Sequence, residues 1–162
     1  MRLIRQILDF VLSKLTIFIF IVLLFCVIWQ VLARWLSITS TFTDEAARFM
    51  FIWVGLFGAA LGHGQGRHLA IDLFTGKLSG HKKLLSNIII HLLVIGFSAS
   101  IMIYGGGMAM LKTQGQLSPV MQIPMWIIYI AIPFNGVAIA FYSFYDLFGL
   151  FCNRLISKKE EA

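Results

Sequence analysis

Residues Trp29 to Asp72 read WQVLARWLSITSTFTDEAARFMFIWVGLFGAALGHGQGRHLAID, two apolar segments joined by a short polar turn. One apolar segment ends in it at Arg34 and Trp35, and a hydroxyl-rich turn follows from Ser37 to Thr43. A second apolar segment then runs into a glycine-rich, basic end at Gly64, Gly66, Arg67 and His68. Thr41 or Thr43 is placed to cap the second helix, and Asp44 and Glu45 fall in its first turn, where the helix dipole favours negative charge. Asp44 and Arg48 are four apart and suit an ion pair on one helix face.

The second segment is rich in small residues. Gly58 and Gly62 make a GxxxG, and Gly55 and Ala59 continue a nearby small face, beside Trp53. Small residues let helix backbones approach closely in lipid. The motif leaves two partners open, a helix of this chain or another subunit.

Composition agrees with spans rather than a soluble core. Of 162 residues 59% are hydrophobic and 12% charged, with a mean hydropathy of +0.89. A soluble domain carries about 25% charged residues. The formal net charge of +6 does not point to nucleic acid, because the basic residues flank apolar runs instead of gathering on a polar face. Cys26 and Cys152 fall at different depths, so no disulfide is expected, and neither has metal-site spacing. Arg2 and Arg5 before an apolar run imitate a signal peptide, but the run is too long and lacks a small-x-small cleavage pattern, so it reads as a retained anchor.

The expectation is an all-α membrane protein in which residues 1–162 form a single unit of four transmembrane helices. The spans are placed at about residues 15–35, 46–62, 84–111 and 121–145, with short interfacial amphipathic segments between them. Residues 2–12 place Arg2, Arg5 and Asp9 on one helical face and Leu3, Ile4, Ile7, Leu8 and Val11 on the other. They suit either a helix lying in the headgroup region or a plain extension of the first span. Leu69 to Lys83 reads as a loop with an interfacial piece. Pro133 is interior to the fourth span and predicts a kink, with Asn135 near enough to bond the freed backbone.

Lys and Arg set the orientation. Arg2, Arg5 and Lys14, then Arg67, Lys77, Lys82 and Lys83, then Arg154, Lys158 and Lys159 lie on one side; only Arg34, Arg48 and Lys112 lie on the other. The positive-inside rule places both termini and the middle loop in the cytoplasm.

Little catalytic chemistry is on offer. There is no phosphate loop, no nucleophile elbow and no carboxylate at mid-membrane, so no enzyme, cofactor or metal is expected. A coupled transporter needs an ionisable or irregular site near the midplane, so this chain is a poor transporter by itself. The alternative is a membrane anchor or electron-transfer subunit holding b-type haem through His63 and His91, against which stands the glycine-rich helix end at His63.

The residues from Gln30 to Asp72 resemble the small membrane subunit, or Q component, of TRAP (tripartite ATP-independent periplasmic) transporters. The resemblance rests on Gln30, Val31 and Arg34; Thr43, Asp44 and Glu45; Ala47 and Arg48; Trp53; Gly58, Ala59 and Ala60; Arg67 and His68; and Asp72. Phe42 stands where that family usually has Trp, and Asp44 where it usually has Glu. Ile123, Pro124, Trp126, Tyr129 and Pro133 extend the likeness into the second half. The resemblance implies a bacterial inner-membrane scaffold. Its partners would be a large multi-span transporter subunit that holds substrate and sodium, and a periplasmic substrate-binding protein that delivers an organic acid. Arg34, Asp44, Glu45 and Arg48 would then form a periplasmic patch that docks the binding protein or only caps the helix.

Overall fold

The structure, a computed structural model, describes residues 2–65 and 81–160. Among these the chain is helical, with one isolated bridge between Leu117 and Pro124. Helix α1 is Arg2–Trp35 and α2 is Thr41–Gly64. The third span joins α3 (His81–Phe97), a π-helical stretch Ser98–Gly105, and α4 (Gly106–Lys112). The fourth joins α5 (Trp126–Tyr129) to α6 (Ala131–Glu160). Among the described residues four stretches are long and apolar enough to cross a membrane: Arg5–Trp35, Thr41–Gly64, Leu85–Lys112 and Trp126–Gly149. The chain is a multi-pass membrane protein.

Residues 2–12 take the second of their two readings. They continue α1 without a break, because Leu8 and Leu12 pack into the core while Arg5 and Asp9 find partners on α6. At about 1.5 Å per residue, α1 is about 50 Å long, well beyond a hydrocarbon layer of about 30 Å.

The fourth span starts later than the hydropathy suggests. Residues 121–125 belong to a folded-back loop, not to a helix. The Ser118 N–H donates to the Ile123 carbonyl at 2.9 Å, and the Met125 N–H donates to the Gln116 carbonyl at 2.9 Å. Pro119 and Pro124 bring no donors, and Gln122 turns the chain with a φ of 54°. Pro133 does not kink a continuous helix either. The helix is interrupted at Ile130, so Pro133 sits in the first turn of α6, where a missing N–H costs nothing. Asn135 is fully buried and its carboxamide makes no hydrogen bond, so it does not serve the backbone near Pro133.

The core runs along one side of α6. Leu12, Phe57, Ala60, Ala138 and Tyr142 are buried together, with Trp53, Leu61, Ile139 and Phe141 against them. Phe57 meets Trp53 edge-on at 5.3 Å and Phe134 at 5.8 Å. Close approaches at glycines hold the helices onto α6. A Cβ on Gly64 would meet the Tyr142 ring at 2.7 Å, and one on Gly136 would meet Met102 at 2.7 Å and the Ile103 backbone nitrogen at 3.3 Å. Ser98 adds a hydrogen bond to the Gly136 carbonyl across the same contact.

Candidate functional site

The patch from Arg34 to Arg48 lies at the loop face, where α1 ends and α2 begins. Ser37 makes the turn with a φ of 54°. Ser40 occupies the cap position of α2 but gives no side-chain cap bond, and the Thr43 hydroxyl turns back to donate to the Ser40 carbonyl at 2.9 Å. The threonines therefore do not cap α2 in the way their spacing suggests. Gln30 crosses from α1 to donate to the Thr43 carbonyl at 2.8 Å, tying the two helices together.

Glu45 has a task that spacing along the chain does not reveal. Its Oε2 accepts hydrogen bonds from the Val120 and Met121 N–H groups, at 3.1 and 2.7 Å. These donors form the tip of the 116–125 loop, which Glu45 pins to the start of α2. Charge-assisted bonds of this kind are among the stronger ones. Thr41, Asp44, Glu45, Arg48, Pro119 and Val120 surround a small hollow of about 210 Å³ beside this clamp.

Arg34, Asp44 and Arg48 are exposed and line one groove, yet they do not pair. The one ion pair among the described residues, Arg5 with Asp146, lies elsewhere. The four patch residues thus share one surface but divide the work: Glu45 holds a loop, and the two arginines remain available.

The small-residue face of α2 also divides. Trp53 belongs to the internal core. A Cβ built on Gly55, Gly58 or Gly62 meets nothing within 4 Å, and Ala59 is exposed, so among the described residues the GxxxG packs against no helix of this chain. Gly58→Leu is therefore expected to leave the melting temperature of the isolated chain unchanged while reducing its co-purification with a larger membrane partner. Equal recovery with wild type would show that nothing packs there.

A polar cluster at the opposite end escaped sequence reasoning. Arg5 binds Asp146 at 2.9 Å, donates to the Gly64 carbonyl and lies 4.9 Å from the Tyr145 ring centre. The fully buried Tyr142 donates its hydroxyl to Asp9. One basic side chain thereby joins α1, the end of α2 and α6. The signal was present in two i, i+4 pairs, Arg5 with Asp9 and Tyr142 with Asp146. Nearby, the buried His63 has its Nε2 2.6 Å from the Ser143 hydroxyl, which occupies that nitrogen, so the haem reading draws no support from the geometry. Arg67 and Lys77 lie outside the described residues, as does most of the interfacial piece expected over 69–83. Lys82 and Lys83 fall in the first turn of α3.

Residues 23–153 match the family model described as "Tripartite ATP-independent periplasmic transporters, DctQ component". The C4-dicarboxylate TRAP transporter small permease protein DctQ of Rhodobacter capsulatus is 28% identical over 113 residues, covering 65% of this chain and 47% of that protein. The sialic acid TRAP transporter small permease protein SiaQ of Vibrio cholerae is 24% identical over 151 residues, covering 93% and 87%. The isethionate TRAP transporter permease protein DctMQ of Oleidesulfovibrio alaskensis is 23% identical over 135 residues, covering 78% of this chain and 21% of that much longer protein.

Proposed function

This chain belongs to the DctQ-component family of TRAP transporters, as the match over residues 23–153 shows, and from that premise we propose that it is the membrane scaffold of a sodium-coupled, binding-protein-dependent importer of an organic acid, of the dicarboxylate or sialic-acid kind. The observation that carries the reading is how little of the chain is used internally. In an apolar 18-residue stretch of the first span only 6% of residues are buried, against 39% in the corresponding stretch of the fourth, and the small face of Gly55, Gly58 and Gly62 is open. A chain with so much unpacked helix and no midplane charge braces something larger. In the DctMQ relative the matching part sits within a longer permease chain, which supports a large membrane subunit as the partner. The third component is a periplasmic binding protein that delivers the substrate.

The location proposed is the bacterial inner membrane, with both termini cytoplasmic. Ten of the thirteen Lys and Arg residues lie on the side of the termini and the 65–83 connection. Reporter fusions after Leu36 and Gln116 are expected to report the periplasm, and fusions after Lys77 and Lys159 the cytoplasm. A periplasmic C-terminus would overturn the topology.

The patch of Arg34, Asp44, Glu45 and Arg48, with the loop that Glu45 pins, is proposed as part of the docking surface for the binding protein, where exposed charge steers encounter and sets register. The test is uptake by the reconstituted complex at limiting binding protein. Arg48→Glu is expected to lower uptake several-fold with assembly intact, and a compensating charge reversal on the binding protein to restore it. Normal uptake by both Arg34→Glu and Arg48→Glu would end the docking role. Uptake by this chain alone would end the scaffold role.

A further inference from the structure

Between α1 and α2 a groove of about 630 Å³ opens on the surface, and its lining changes character with depth. Along α1 it runs from Arg34 and Gln30 to Val27 and Leu23. Along α2 it runs from Asp44 and Arg48 to Phe51 and Ile52. Both walls are charged at the loop face and purely apolar below. Val27, Phe51 and Ile52 are exposed, and neither arginine has an ion pair or hydrogen bond among the described residues.

From this gradient we infer that the groove binds one phospholipid of the leaflet on the loop face. The phosphate lies between Arg34 and Arg48, and an acyl chain runs down past Val27 and Phe51 toward Leu23 and Ile52. Guanidinium groups match phosphate oxygens in charge and in the geometry of their paired N–H donors. The length fits as well. Arg34 and Leu23 are eleven residues apart, about 16 Å along a helix. Half of a hydrocarbon layer of about 30 Å is close to that distance. Asp44, on the same rim, complements the ammonium of an ethanolamine headgroup, so phosphatidylethanolamine satisfies every charged group of the groove. A soluble acidic segment would satisfy the arginines but leave the apolar trough empty. The lipid site and the proposed docking surface share Arg34 and Arg48, the lipid taking the apolar side of the patch and the Thr41, Pro119 and Val120 side lying beyond it.

The inference rests on membrane embedding, and its readout is lipid retention by the isolated chain; the docking role, which draws on the same two arginines, is read separately by restoration of uptake with a compensating charge reversal on the binding protein. The full chain, purified in mild detergent, is titrated with dioleoyl phosphatidylethanolamine and followed by native mass spectrometry. One lipid per chain is expected to survive. Arg34→Ala/Arg48→Ala should lower its retention roughly tenfold or more, and Val27→Trp, which fills the trough and keeps both arginines, should also displace it. Val27→Trp decides the matter if the double variant does not fold. Millimolar inorganic phosphate should not compete. Unchanged retention in these variants would overturn the site. Full competition by inorganic phosphate would reduce it to an anion site without a lipid. If assembly with the large subunit strips the lipid and the double variant breaks that assembly, the groove belongs to a protein partner and the lipid assignment falls.

Discussion

Gly136→Leu is expected to prevent recovery of folded, monodisperse protein. A Cβ at this position would lie 2.7 Å from Met102 Cβ, 3.1 Å from Ile103 Cγ1 and 3.3 Å from the Ile103 backbone nitrogen. Two of these atoms belong to the backbone or its first carbon, so no side-chain rotation relieves the clash. The third span must move away from α6, and the Ser98 hydrogen bond to the Gly136 carbonyl goes with it. Overpacking of this kind costs about 1–3 kcal/mol, and more where the neighbours cannot yield. Gly58→Leu, whose Cβ meets open space, is the matched control. Size-exclusion profiles and thermal unfolding of the two variants in detergent check the contrast, and equal behaviour would mean that the third span does not pack here as described.

Arg5→Ala is expected to produce the second large loss. The side chains of Arg5 and Asp146 are only 25% and 27% exposed, so the pair is shielded from water and salt more than a surface pair. Removing the guanidinium leaves the Asp146 carboxylate unpaired and the Gly64 carbonyl without its donor. A hydrogen bond to a charged group is worth about 1.5–3 kcal/mol, and stranding a buried partner costs about 1–3 kcal/mol. A drop of about 2–3 kcal/mol in unfolding free energy is the expected result. Arg5→Lys should recover part of it, keeping the ion pair but losing the forked contact. Arg5→Asp with Asp146→Arg should do better than either single reversal. Additive losses in that double variant would show that the pair contributes nothing.

The spans were legible in the sequence because lipid demands long apolar helices, and four such runs are written plainly between polar turns. Their ends were less so. Met121 to Met125 are apolar enough to belong to a span, yet two prolines and a left-handed Gln122 fold them back into a loop. The role of Glu45 was hidden for a different reason. Its partners are 75 and 76 residues away, and nothing local distinguishes a carboxylate facing a helix dipole from one holding a distant loop. The glycines show the same limit. The conspicuous GxxxG at Gly58 and Gly62 faces away from the bundle, while the inconspicuous Gly64 and Gly136 make the tight contacts. A spacing identifies a face of a helix but not which way the fold turns it. Arg5 counts in the sequence as an orientation signal and Asp9 as part of a polar helix face, and only the placement of α6 shows that both are tied to it, through Asp146 and Tyr142.

The π-helical stretch Ser98–Gly105 sets the rotational phase of the third span. Each residue of an α-helix turns the chain by about 100°. A π-helical interval takes more residues per turn, so α4 leaves it facing a direction that a uniform α-helix would not have given. Gly106 is aimed at Ile132 and Pro133 on the far side of this interval, while Ser98 is aimed at Gly136 on the near side. Deleting one residue here would shorten the span by no more than about 1.5 Å, but it would rotate one contact out of alignment with the other. At its exposed positions, such as Ile101 and Tyr104, the number of residues matters more than their identity, so apolar substitution should be tolerated there where insertion or deletion is not.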